Sequence, residues 1–501
     1  MRVVVGNVST KVIIGGTDYL LGFDVMETLR KYLRVKPDGY SYSEAYQEHN
    51  WDGYRYFITP KGEFATGYLP MVLSYMAELG VPCVIEDNRG ELPKLKADMS
   101  NYVGYIDGED WYGLGNDEIG WYQLEMAKKL NNYIKLPNGD YMYFPRGILD
   151  CATNAGKNSI AALIVNNLER RYRTIFLVSS KDIYKQAVEF FSQVIGEPVG
   201  EINDRKFAPS EFFTVAMVKS LYSKAKKSIN VKKLLFDTEV LFVDESDESG
   251  SKEYSRCLSY INAPMRIFMS GTPLEAKKVN NMVSIGLSGK VLGTVTNKFL
   301  IDNGFSQRPT VKIYLNVMPE FKFHTYTGEV DRHIHCSKQR ADLICKLIEE
   351  RKGKNILITF IEKKHGYFMY ERIKELLPDL IVDIVHGEDK DRAIKLQNFK
   401  DGYIQVLLAS MIVKKGLNIP IIRSIFMAQG GKSTITVKQL AGRGTRKDGI
   451  HDDVEFVEFY DMGKYVSKHS RQRIRIYKNE GFDIEYTFPC KNGKPDLSKI
   501  L

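Results

Sequence analysis

Cysteine is scarce in this sequence. Its six residues (Cys83, Cys151, Cys257, Cys336, Cys345 and Cys490) are scattered and never form a CxxC pair, which excludes a disulfide framework and a zinc ribbon and fits reduced thiols. No apolar run approaches the roughly eighteen residues of a membrane span, and the opening MRVVVGNVSTKVIIGG holds no sustained hydrophobic stretch before a cleavage site. A cytosolic chain without membrane contact is therefore expected. Low-complexity tracts and internal repeats are missing as well. With 17 Pro, 44% hydrophobic and 27% charged residues, the composition is globular rather than disordered, collagenous or coiled-coil. At 501 residues the chain exceeds one ordinary domain of roughly 100–150 residues, so two to four domains with their own cores are expected. Lys and Arg number 71 against 62 Asp and Glu, a net charge of +9 that favours an acidic partner such as nucleic acid without requiring one. His333, His335 and Cys336 crowd three possible metal ligands together, but no further pair is spaced to complete a site, so no metal is expected there.

From about Asp140 onward, short apolar runs alternate with amphipathic segments. The runs are Thr174–Val178, Val240–Val243, Arg266–Met269, Asn355–Phe360, Gln405–Ala409 and Ser424–Phe426; the helical patterns include Ser159–Tyr172 and Lys338–Arg351. Four or five residues apolar throughout, separated by helices, mark buried parallel strands in βαβ units. The expected fold class is α/β, with two tandem parallel-sheet domains that divide near Ile301–Lys312, where Gly, Gln and Pro interrupt the pattern. Upstream, residues 1 to about 110 are aromatic and turn-rich, with short strands at Val3–Val5, Lys11–Ile14 and Tyr54–Ile58 and a helix around Leu69–Leu79, which reads as a small α+β domain. Glu91–Asp117, broken by Pro93 and several glycines, reads as a linker. The expected limits are 1–112, 113–305 and 306–501.

Two local patterns carry chemistry. Ala152-Thr153-Asn154-Ala155-Gly156-Lys157-Asn158 lies between an apolar segment and a helix beginning near Ser159. A phosphate loop needs small residues that let backbone N–H groups turn inward, a helix N-terminus behind them and a Lys for the outer phosphates. Cys151 stands where the first Gly of that pattern belongs, and Asn158 where a hydroxyl ligand to Mg²⁺ belongs. The alternative is a plain helix cap with an exposed Lys. The second pattern is Val240–Val243 running into Asp244-Glu245-Ser246-Asp247, adjacent carboxylates at the carboxyl end of a buried strand, suited to a metal-bound triphosphate and an attacking water. The next strand ends in Ser270-Gly271-Thr272-Pro273, which makes a mere acidic turn the weaker explanation.

These segments resemble motifs I, II and III of superfamily 2 helicases. Tyr122-Gln123 resembles the adenine-reading Q motif, Val178-Ser179-Ser180 with Gln186 motif Ia, and Thr214–Ser220 the region of motif Ib. Ala409-Ser410 followed by Lys415-Gly416-Leu417-Asn418-Ile419-Pro420 resembles motif V, and Gln439-Leu440-Ala441-Gly442-Arg443-Gly444-Thr445-Arg446 resembles motif VI. Asn50–Gly53, Trp121–Gln123, His365-Gly366 and Arg446-Lys447 extend the likeness over nearly the whole chain to the phage UvsW-type DNA helicases, whose members migrate branches and remodel forks with a small N-terminal DNA-binding domain. Two departures are Asn158 and Asp247, the latter standing where His commonly closes motif II.

The resemblance implies two RecA-like domains, ATP and Mg²⁺ as cofactors, and branched or forked DNA, with single-stranded DNA a further candidate. It implies Lys157 on the β/γ-phosphates, Asp244 and Asn158 on the metal, and Glu245 as base. Gln439 would sense the γ-phosphate, and Arg443 and Arg446 would be arginine fingers. Tyr122, Gln123, Thr153, Asn154, Ala155, Gly156, Ser159, Gly416 and Asn418 would line the nucleotide, and Asp247, Ser270 and Thr272 would couple it to the strand-binding face. A monomer in the cytoplasm, the host's if the chain is phage-encoded, is expected. An RNA helicase, an ATP-binding clamp with little turnover and a restriction-enzyme motor are the competing functions.

For the nucleic acid, Ser180 and Ser410 follow from the motifs. Two basic stretches follow from charge: Lys224–Lys233 with Lys226 and Lys227, expected as a loop, and Lys464–Lys478 with Lys468, Arg471, Arg473 and Arg475 and no acid between. The aromatics Tyr40, Tyr42, Tyr46, Trp51 and Tyr54 beside Arg55 suit base stacking, but a core role is expected for Trp51.

Overall fold

The computed structural model describes residues 1–14, 24–100, 103–106, 109–111, 121–274, 277–317, 325–410, 422–431, 438, 454–491 and 494–496. The chain divides into two compact units, Met1–Cys151 with Ala155–Val295, and Ala152–Asn154 with Thr296–Leu501.

The first unit is built on an eight-stranded sheet. In spatial order its strands are Phe207–Ala208, Gly200–Ile202, Phe213–Met217, Thr174–Val178, Val240–Asp244, Met265–Ser270, Arg146–Cys151 and Val291–Val295. All pairings are parallel except that of the edge strand Phe207–Ala208. Thr174–Val178, Phe213–Met217, Val240–Asp244 and Met265–Ser270 are buried at every residue, which is why their sequences are apolar without alternation. The helix expected over Ser159–Tyr172 runs Lys157–Asn166 and stops there because the Asn167 amide turns back to donate to the Leu163 carbonyl at 2.8 Å.

The N-terminal part of this unit carries its own four-stranded sheet, in the order Glu63–Ala65, Ser9–Ile13, Arg2–Val5 and Val84–Asp87. Its helix Leu69–Glu78 buries Leu69, Val72, Leu73 and Met76 against the sheet. Of the strand expected over Tyr54–Ile58, Arg55–Tyr56 pairs with Arg34–Val35, and Ile58 forms an isolated antiparallel bridge with Phe64. Trp51 is half-buried rather than core: its indole donates to the Tyr54 carbonyl at 2.8 Å, a bond that holds the ring in a turn. Around it lies a surface cluster in which Arg34 sits 3.9 Å over the Tyr54 ring and Lys36 4.5 Å over Tyr40. The turn Thr66–Tyr68 that follows the small sheet approaches the backbone of helix Lys278–Leu287 closely: a Cβ on Gly67 would lie 2.1 Å from the Ile285 carbonyl oxygen. Arg146, buried at the start of its strand, donates to the carbonyls of Asn7 at 2.6 Å, Leu287 at 2.7 Å and Ser288 at 2.7 Å. A buried guanidinium satisfied by carbonyls of two separate segments ties both to its own strand, since each lost bond would strand a buried polar group.

The second unit holds a seven-stranded sheet, all parallel, in the order Val382–Val385, Val406–Ser410, Ile356–Phe360, Ser424–Phe426, Glu455–Asp461, Thr310–Asn316 and Asp483–Tyr486. The helices Lys338–Glu349 and Lys363–Leu376 cover a core of Ile344, Ile348, Ile358, Met369 and Phe459. Both large sheets therefore have the doubly wound form expected of two tandem RecA-like domains. No helix among the described residues is long and apolar enough to cross a membrane.

Candidate nucleotide site

Strand Arg146–Cys151 is interior to its sheet, between Met265–Ser270 and Val291–Val295, and ends in the turn that leads to the helix starting at Lys157. Gly156 caps that helix with φ +70°, a conformation only glycine adopts without strain, and a Cβ there would lie 2.2 Å from the Gln123 amide nitrogen. The Gln123 amide and the Tyr122 hydroxyl each donate to the Ala155 carbonyl at 3.1 Å, so the segment resembling a Q motif is hydrogen-bonded to the loop itself. Gln123 is fully buried, and its side-chain oxygen has no partner among the described residues.

Lys157 extends from the first turn of the helix across the neighbouring strand end. Its ammonium lies 3.3 Å from a Glu245 oxygen and 3.9 Å from an Asp244 oxygen. Burial alone would pull this ammonium down, but Glu245 and then Asp244 outweigh it and hold its pKa above the ordinary lysine value. Cys151, one residue before the loop, is pushed up to about 12 by burial, against the pull of Lys157, and is a neutral thiol. Glu245 has φ +51° and ψ +52°, a left-handed backbone that costs a non-glycine residue roughly 1–2 kcal/mol. Strain of this kind, next to the paired lysine, marks a residue whose direction matters more than its comfort. Sequence gave no signal for it.

The remaining expected positions divide. Thr153, Asn154 and Asn158 are half-buried in or beside the turn and Ser159 is buried in the helix. Ser270 accepts from the Thr272 N–H at 3.1 Å, both are buried, and the Thr272 hydroxyl has no partner among the described residues. Asp247 sits half-buried in the short helical turn after Glu245. Ser180 caps the helix Lys181–Val194, accepting from the Ile183 N–H at 3.3 Å. Ser410 is buried as the last residue of its strand. Gly416, Asn418, Gln439, Arg443 and Arg446 lie outside the described residues.

Of the basic stretches, Lys224–Lys233 is not a loop but the end of helix Val218–Ala225, a turn with Lys226 and Lys227 exposed, and helix Ile229–Phe236. The Lys226 ammonium lies 3.9 Å over the Tyr222 ring. The Lys464–Lys478 stretch forms helix Val466–Asn479, which exposes Lys468, Arg475 and Lys478 and half-exposes Arg471. Arg473 corrects the sequence reading. It is 2% exposed and held by Glu458, with Nε 3.0 Å and Nη2 2.9 Å from the carboxylate, so helical periodicity turns this one cation into the core. A residue the sequence did not flag anchors the same helix: Glu329, 1% exposed, accepts from the N–H groups of Lys464 and Tyr465 at 2.6 Å and Val466 at 3.1 Å. Its carboxylate fills the positive end of the helix dipole, and Gly463 lets it approach, since a Cβ there would lie 2.4 Å from the Glu329 oxygen. No group of three metal ligands is found around His333, His335 and Cys336 among the described residues.

Residues 117–275 match the family described as "Type III restriction enzyme, res subunit" and residues 339–448 the "Helicase conserved C-terminal domain". The chain is an ATP-hydrolysing superfamily 2 helicase. It is 22% identical to the ATP-dependent DNA helicase uvsW of Enterobacteria phage T4, covering 91% of this chain and 94% of that one. It is 24% identical to the putative helicase 22 of Sulfolobus islandicus filamentous virus over 64% of this chain and 62% of that one. Among solved structures, a fragment of a putative HsdR subunit of a type I restriction enzyme from Vibrio vulnificus YJ016 has the same fold, with a TM-score of 0.55 at 16% identity over 75% of this chain and 69% of that one.

Proposed function

We propose that this helicase is a DNA translocase acting on branched or forked DNA, driving branch migration, fork regression or unwinding, as a monomer in the cytoplasm. The observation that carries the chemistry is the convergence of Lys157 with Asp244 and Glu245 at the carboxyl ends of strands in one sheet, behind a glycine-capped helix N-terminus. Lys157 exchanges its carboxylate partners for the β- and γ-phosphates. The hard oxygen donors Asp244 and Asn158 fit Mg²⁺, which when bound neutralises phosphate charge. Glu245 accepts the proton of the attacking water. Tyr122 and Gln123 bear on the adenine, with Thr153, Asn154, Ala155, Gly156 and Ser159 around the phosphates and Gly416 and Asn418 completing the nucleotide contacts. Gln439, Arg443 and Arg446 act on the γ-phosphate from the second domain; one such arginine is worth roughly 10³–10⁵ in rate. Asp247, Ser270 and Thr272 pass the change to the strand-binding face.

The DNA substrate is supported by the name of the T4 relative, whose length this chain matches almost throughout, and by the exposed cations of helix Val466–Asn479. Ser180, Ser410, Lys226 and Lys227 join that surface, and the arginine–tyrosine cluster of the N-terminal sheet offers stacking faces for the bases at a junction. The test is ATP hydrolysis by the full chain with forked DNA, linear duplex and RNA. Forked DNA is expected to stimulate most; stimulation by RNA alone would instead make it an RNA helicase.

A further inference from the structure

Glu245 keeps its strained backbone only if the turn that carries it is held from elsewhere. That turn is short. In Ser246–Glu248 the Glu248 N–H donates to the Glu245 carbonyl at 3.4 Å, and the Ser249 N–H to the Ser246 carbonyl at 3.0 Å. Its far end, Ser249-Gly250, is buried against helix Lys278–Leu287.

Two contacts make the junction. The Ser249 and Ser284 hydroxyls, 0% and 3% exposed, lie 2.7 Å apart. Ser284 gives its proton to the Asn280 carbonyl at 3.0 Å, so Ser249 is the donor between the two hydroxyls. Beside them Gly250 stands on the Asn280 backbone: a Cβ at Gly250 would lie 2.5 Å from the Asn280 Cβ and 2.6 Å from its Cα. No flexible side-chain end is there to give way. The helix is itself fixed from its other sides. The Tyr68 hydroxyl donates to the Met282 carbonyl, and a Cβ on Gly286 would lie 2.7 Å from the Tyr68 ring. Arg146 holds the carbonyls of Leu287 and Ser288, each at 2.7 Å. A helix so fixed cannot follow a relaxing turn, and the Glu245 carboxylate stays aimed, 3.3 Å from Lys157.

We propose that Ser249, Gly250 and Ser284 are positioning residues for Glu245, locking its turn so that the carboxylate points at the attacking water. This rests on Glu245 being the base, as proposed above. Single-turnover ATP hydrolysis by the full chain with forked DNA tests it. Ser249→Ala removes one bond, leaves Ser284 its own acceptor and is expected to slow hydrolysis about 2- to 10-fold. Gly250→Ala pushes the turn off Asn280 and is expected to slow it about 10- to 100-fold, the scale of a misplacement of about 1 Å. Affinity for a fluorescent ATP analogue should hold within about twofold in both, because Lys157 and the loop at Gly156 belong to other elements. In a Glu245→Gln background the same substitutions should cost no more than about twofold, since nothing is left for them to aim. The full losses repeated in that background, wild-type rates in both single variants, or affinity lost in parallel with rate overturn the positioning role and leave Glu245 as base. A Glu245→Gln chain that hydrolyses ATP within about tenfold of wild type overturns the base and the positioning role together.

Discussion

On the proposed assignment of Glu245 as base, Glu245→Gln should separate nucleotide binding from hydrolysis. The Glu245 carboxylate holds Lys157 at 3.3 Å, an attraction of at most about 5 kcal/mol at an effective dielectric of about 20. An incoming triphosphate must displace that partner and approach its charge. The amide removes both obstacles, while Asp244, 3.9 Å away, keeps the lysine charged. Nucleotide affinity should therefore hold or rise, by up to about tenfold, or about 1.4 kcal/mol. Hydrolysis should fall, because a positioned base supplies roughly 10²–10⁴ in rate, about 3–5 kcal/mol of barrier. The two effects are read by titration with a fluorescent ATP analogue and by single-turnover hydrolysis with forked DNA. Hydrolysis within tenfold of wild type would refute Glu245 as base. Loss of nucleotide affinity in parallel with hydrolysis would refute the displacement argument.

The other predictions concern the second unit. Neutralising Lys468, Arg471 and Arg475 together should weaken DNA binding and reduce the slope of log K against log salt by about 2–3, measured by anisotropy over a salt series; an unchanged slope removes this helix face from the interface. Arg473→Met leaves Glu458 buried without its cation and should cost about 3–5 kcal/mol in urea unfolding, a loss a surface cation would not show. Glu329→Gln replaces a carboxylate that accepts three N–H bonds and should destabilise the unit by about 2–3 kcal/mol by the same measurement; a change below 0.5 kcal/mol would mean the helix does not depend on its cap. His365 is held well below the ordinary histidine value by burial, then by Arg340 and His335. The unfolded chain therefore takes up its proton first, and stability is lost as pH falls below about 6.5, at up to about 1.4 kcal/mol per unit. Thermal melting of wild type and His365→Asn between pH 7 and 5 checks this: the variant should lose less.

What sequence revealed follows the physics of each signal. Parallel strands buried on both faces are apolar throughout, so Thr174–Val178, Ile356–Phe360, Val406–Ser410 and Ser424–Phe426 were readable to within a residue. The loop at Gly156 was readable because its chemistry demands small residues beside a lysine. Arg473 was misread because composition counts charges without assigning them to a helix face; the face appears only once the helix phase is known. Glu329 was invisible, since its partners are backbone N–H groups more than a hundred residues away, and backbone groups carry no sequence label.

The same distinction explains how the nucleotide site is held. Gly156 and Glu245 both have left-handed backbones, one free of strain and the other strained. At Gly156 the amino acid was chosen to fit the backbone; at Glu245 the backbone is forced to fit the amino acid. A glycine after Asp244 would relax the turn and lose the only carboxylate within 3.5 Å of the lysine among the described residues. The strain, about 1–2 kcal/mol, is small against the 3–5 kcal/mol of barrier that a well-aimed base removes, so the exchange favours activity over stability. If Glu245→Gly melts higher than Glu245→Gln while both fail to turn over ATP, the strained turn is a functional device rather than an accident of the fold.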